Sequence, residues 1–175
     1  MKDGMTDATQ CQKIVESIGW LGETWGFWIQ TGAFFLSALA AVAVIYYNGK
    51  QSRVNALINL ITQQKSDQSF TEATRTVHAL NPTETPLAVH VNNDGAERKA
   101  ILLVLNNHEF IAVGVRLGAF DENVYKELQC TNVIRLYDNV AGFIQETRRI
   151  AGKDTLFQDF EALAKRWKKN PIRKV

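Results

Sequence analysis

Residues Trp25 to Tyr47 read WGFWIQTGAFFLSALAAVAVIYY, and these 23 positions hold no charged side chain. At ~1.5 Å per residue a helix of this length covers roughly 34 Å, enough to cross a hydrocarbon core of about 30 Å. Trp25 and Trp28 stand at one end and Tyr46 and Tyr47 at the other, where amphipathic rings favour the headgroup level. The stretch is expected to be a single transmembrane helix, which makes the lipid bilayer the first partner. A cleaved signal peptide is the competing reading. It calls for a basic leader and an apolar core of about 7–15 residues, whereas this leader is acidic and the apolar run longer.

Charge on either side of the helix sets the expected orientation. Residues 1–24 carry Lys2 and Lys13 against Asp3, Asp7, Glu16 and Glu23, a net −2; with the overall +2, residues 48–175 carry +4. Lys50, Arg53 and Lys65 follow the helix before any acid, while Lys13 alone lies comparably near on the other side. Basic residues flanking a span stay in the cytoplasm. The N-terminus is therefore expected outside, with the C-terminal domain cytoplasmic at an inner or plasma membrane. Cys11 and Cys130 would then face opposite compartments and could not pair within one chain.

Outward from the span, residues 1–24 form a short tail in which Ile14, Ile18 and Leu21 have the spacing of an interfacial helix. Within the span, Ala33, Ser37 and Ala41 share a face, and Gly22 and Gly26 precede it at the same spacing. Small residues so placed let helices approach closely, which implies a homo-oligomer or a membrane-protein partner. Beyond it, residues 48–80 read as juxtamembrane helices: Val54, Leu57, Ile58 and Ile61 repeat at helical period, and a second helix runs from about Phe70 to Leu80. Residues 81–94 hold two of the three prolines and read as a linker, with a strand at Leu87–Val91 as one option.

Residues 95–168 are expected to form a helical bundle. Asp94 to Glu97 has capping-box form and opens a helix, apolar nearly all round, that Gly118 ends. Asp121 caps ENVYKEL, a separate helix starts at Thr131 or Asn132, and Gly152 closes it. Thr155 to Gln158 is a second capping box before a helix with Leu156, Phe160, Leu163 and Trp167 on its core side. Residues 169–175 form a basic tail. The fold class is all-α: one N-terminal transmembrane helix followed by a small cytoplasmic bundle.

The run ILLVLNNHEFIAVGVRLGAFDENVYKELQCTNVIRLYDNVAGFI, followed by DFEALAKRW, resembles the bacterial and phage-associated family called domain of unknown function 4760. The likeness covers about residues 50–168. It rests on Asn106, Glu109-Phe110, Gly114, Arg116, Gly118, Asp121-Glu122, Tyr125 and Ala164 to Trp167, and departs near Leu136–Tyr137, where the family often has Trp. The resemblance implies a single anchor followed by a helical domain and carries no activity.

Two groups of residues are candidate sites. On the central helix Arg98, Asn106, Glu109 and Arg116 fall close to one stripe. They suit a small anionic or polar pocket, but more simply a partly buried carboxylate supplied with partners. From Lys165 to Lys174 the chain packs Lys165, Arg166, Lys168, Lys169, Arg173 and Lys174 into ten positions without an acid. Such a run suits anionic lipid headgroups or a solvated helix end; nucleic acid, with Trp167 free to stack, is the less favoured partner.

Catalytic patterns are missing. His108-Glu109 begins H-E-x-x-H, but position 112 is Ala, and His78, His90 and His108 are scattered; no metal or cofactor is expected. No Walker A loop or nucleophile elbow occurs. The expected role is non-enzymatic, as an adaptor, sensor or regulatory subunit. The alternatives are a phage- or prophage-derived interference or exclusion protein and a membrane-tethered nucleic-acid binder.

Overall fold

The computed structural model describes residues 25–80, 86–92 and 94–172. The described residues are helical, without a strand: α1 Trp25–Ser66, α2 Gln68–Ala79, a 3₁₀ turn Leu87–Asn92, α3 Ala96–Arg116, α4 Glu122–Ala151 and α5 Gln158–Lys169. The chain divides into two compact units at Gly49/Lys50. The expected interfacial helix and Gly22 lie outside the described residues.

In the first unit α1 presents its apolar residues with nothing from the described residues over most of them. Phe34, Phe35, Leu36 and Ile45 are each about 70% exposed. The helix is long and apolar enough to cross a membrane. Asn48-Gly49, a pair that often marks a turn, lie inside unbroken helix.

In the second unit α1 turns from an all-round apolar helix into a one-sided one. Leu57 is fully buried, with Leu60 and Ile61 packed against the core. Asp67 ends α1 and starts α2, its side chain accepting the N–H groups of Ser69 and Phe70 at 2.8 and 3.2 Å, which satisfies two of the four orphan donors of a helix start. Ala73 and Val77, four apart, face inward from α2. The segment expected as a linker adds to the core instead. Its 3₁₀ turn buries Leu87 and Val91 and packs against α4, so the option of a strand does not hold.

α3 is the central helix, flanked by α2 and α5. Its start differs from the expected capping box. Gly95 takes the cap position without a side-chain bond, and Asp94 lies 3.8 Å from Arg98. Its end follows expectation. Gly118 takes the left-handed conformation, φ 71°, which costs little without a Cβ. The chain then folds back, with the N–H groups of Ala119 and Phe120 both directed to the Gly114 carbonyl at 2.8 and 3.2 Å. This lays the Phe120 ring where a Cβ on residue 114 would stand.

α4 starts at Asp121, which caps the N–H groups of Asn123 and Val124, and ends at Gly152, φ 61°. The break expected at Thr131 or Asn132 is absent. Tyr125, Cys130, Val133, Leu136, Val140, Phe143 and Ile144 form one continuous buried face, and that burial outweighs the weak local preference of Thr and Asn for a helix start. α5 packs on both α3 and α4 through Phe160, Leu163, Ala164 and Trp167. The second expected capping box does not form either: Phe157, left-handed at φ 57°, is the cap residue and makes no side-chain bond.

Gly114→Ala should lower unfolding stability by about 1–3 kcal/mol, the usual cost of overfilling a packed site. Denaturant unfolding of the full chain reads this, and most of the loss should disappear in a Phe120→Ala background.

Candidate functional site

Four helices each turn one row of side chains toward a common cleft of about 280 Å³. α1 contributes Ile61, Gln64 and Lys65; α2 contributes Phe70, Thr71, Thr74, Val77 and His78. α3 contributes Val104, His108 and Ile111, and α4 contributes Tyr125, Gln129, Asn132 and Leu136. Each row follows the three- and four-residue steps of a helix face. The walls are mostly apolar with a few converging polar groups, the usual character of a small-molecule site.

His108 and Tyr125 form a polar pair in the lining. His108 Nδ1 lies 3.0 Å from the Tyr125 hydroxyl, and the imidazole also stands 5.5 Å from the Phe160 ring. Burial, and secondarily the charge of His78, lower the His108 pKa from 6.5 to about 4. Burial also pushes the Tyr125 hydroxyl well above the usual phenol range. Both rings are therefore neutral at physiological pH, joined by one hydrogen bond. Gln64 of the lining donates to the Asn107 side-chain oxygen at 2.7 Å, and the Asn107 Nδ2 is buried with no partner among the described residues.

The residues singled out from the sequence lie elsewhere. The central-helix stripe does not gather into one pocket. The Glu109 carboxylate accepts the N–H groups of Phe160 at 2.7 Å and Asp159 at 3.3 Å, so it caps α5 from another helix. That explains how α5 starts on Phe157 without a local cap. Arg116 pairs with Asp159 at 2.7 Å, which ties the same two helices together. Arg98 faces Asp94, its Nε buried with no partner among the described residues, and Asn106 is exposed.

Three cations of the basic run are engaged on the bundle. Lys165 reaches Glu161 at 2.6 Å, Arg166 reaches Glu122 at 2.9 Å and Lys168 reaches Asp138 at 2.7 Å. Lys169 is exposed, and Arg173 and Lys174 lie outside the described residues. Trp167 is not free to stack: it is buried, and its Nε1 donates to Glu122 at 2.9 Å. Glu161 also receives Arg148 at 2.7 Å and the Tyr137 hydroxyl at 3.0 Å. The Lys165 hydrogen bond, aided by Arg148 and Tyr137 against the cost of burial, lowers its pKa to about 2. On α1, Ala33, Ser37 and Ala41 are exposed, and the Ser37 hydroxyl donates to the Ala33 carbonyl at 2.8 Å.

The cleft is the feature that sequence reasoning missed. Its rows come from four helices spread over more than seventy residues, and no short motif links them. One signal was present: His108 sits between Val104 and Ile111 on an otherwise apolar face.

The chain belongs to the family described as Domain of unknown function (DUF4760), whose model matches residues 29–167. No curated protein and no solved structure matches it.

The pKa of His108 sets a pH window for stability. The unfolded chain takes up this proton near pH 6.5 and the folded chain only near 4. Stability is therefore complete above about 6.5 and falls as pH drops towards 4, by up to about 3 kcal/mol. Glu161 acts in a lower window, losing its contribution as pH falls from 4.5 towards 2. Urea unfolding at pH 7, 5.5 and 4 should show the first loss, and His108→Gln should flatten it.

Proposed function

From this membership, and from the cleft, we propose that the chain is a single-pass membrane protein whose helical domain binds a small molecule. In this reading it is a sensor or regulatory subunit. The observation that carries the proposal is the cleft itself, mostly apolar and lined from four helices, with a few polar groups converging on it. The anchor is the apolar part of α1, whose uncovered side chains call for lipid. Lys50, Arg53 and Lys65 against Lys13 favour a cytoplasmic domain. The Ala33/Ser37/Ala41 face supports association with a second copy or another span.

Binding fits the cleft better than catalysis. A general acid or base works best with a pKa near the working pH, and burial drives both His108 and Tyr125 away from it. No carboxylate among the described residues lines the cleft.

When expressed in bacteria, the chain should remain in the membrane fraction after alkaline carbonate washing. A cytoplasm-dependent reporter fused to its C-terminus should be active. Leu39→Arg places a charge in the apolar segment, at about 2.5–3.5 kcal/mol near a bilayer centre, and should move a measurable share to the soluble fraction. Full release of the wild-type chain by carbonate, or a silent reporter on a stably expressed fusion, would contradict the proposed anchoring or orientation.

A further inference from the structure

We propose that the cleft takes a small aromatic carboxylate, an inference that rests on reading the cleft as a ligand site. Size is the first argument. At about 280 Å³ the space is roughly twice the ~150 Å³ apolar cavity that admits a benzene ring. It holds one ring with a substituent and is too small for a long acyl chain. The lining is the second. Phe70, His78, His108 and Tyr125 all border the cleft, and ring side chains favour offset or edge contacts with a flat aromatic body.

Charge is the third argument. Lys65 borders the cleft, exposed and with no carboxylate partner among the described residues. This contrasts with Lys165, Arg166 and Lys168, each neutralised by an acid of the bundle. No Asp or Glu among the described residues lines the space, so Lys65 is free to pair with an anionic group on a ligand. One lysine beside neutral donors from Thr71, Gln129 and Asn132 suits a single carboxylate. A phosphate dianion calls for an arginine fork or an array of backbone N–H groups.

The test uses the full chain in lipid nanodiscs and ¹⁹F NMR of two probes of one shape, 4-fluorobenzoate and the uncharged 4-fluorobenzyl alcohol. Empty nanodiscs give the lipid background. Saturable broadening of 4-fluorobenzoate is expected, abolished by Thr74→Trp, which fills the cleft. Lys65→Gln, a change at an exposed position, should weaken 4-fluorobenzoate about two- to fivefold, the worth of one solvent-screened ion pair, and leave the alcohol unchanged. Benzoate binding indifferent to Lys65→Gln would overturn the inference. Binding of the alcohol alone, sensitive to Thr74→Trp, would overturn the carboxylate and keep the cleft as a ligand site. Failure of both probes to bind would remove the inference and the ligand-site reading together.

Discussion

A helix that is apolar on most of its circumference must be covered on most of its circumference, and α3 imposes that demand on the domain. Ala100, Ile101, Val104, Leu105, Ile111, Ala112 and Val115 are all buried, at about 1.5–3 kcal/mol for each large side chain taken from water. One partner cannot cover so wide a surface. α2 takes one flank and α5 another, while the end of α1 and the face of α4 meet α3 around His108. Polar groups on a buried surface need partners, and His108 finds Tyr125. Around that pair the packing stays open, because Thr71, Thr74, Gln129 and Asn132 line the space where larger apolar residues would close it.

Electrostatics join the later helices to this core. Glu109 and Arg116 of α3 hold the N-terminal end of α5 at Asp159 and Phe160. Glu122 and Asp138 of α4 hold its far end at Arg166, Trp167 and Lys168. Most of these ion pairs are exposed, and each contributes little alone. The contacts of Glu109 to backbone N–H groups differ in kind, since they satisfy donors that would otherwise be orphaned at a helix start. The same pairs use up much of the basic character of the C-terminal run. Lys165, Arg166 and Lys168 thus each serve the bundle.

The all-α class, the long apolar helix, the Asp121 cap and the glycine ends of α3 and α4 were legible in the sequence. Each rests on local chemistry: an uncharged run, an oxygen that caps, a residue without Cβ. The misjudged features depended on distant partners. Neither capping box formed: at α3 the cap position fell to Gly95, which has no side-chain oxygen, and at α5 Glu109, some fifty residues earlier, caps the helix from another element. The false break in α4 came from Thr131 and Asn132, which stand exposed while Cys130 and Val133 beside them are buried. The cleft was invisible because no spacing rule relates Lys65, Thr74, His108 and Asn132. Among them only His108 disturbed an apolar pattern, and alone it read as an isolated histidine.

The central claim is that α2 and α4 face each other across an open cleft beside α3. Cysteines at Thr74 and Asn132, in a full-length chain carrying Cys11→Ser and Cys130→Ala, test it most directly with a short rigid bismaleimide. Efficient cross-linking within one chain is predicted, blocked by prior unfolding. A control pair at Thr74 and Lys169 should link poorly, Lys169 standing outside the cleft. Absence of the Thr74–Asn132 link in folded protein, with both thiols reactive, would contradict the account.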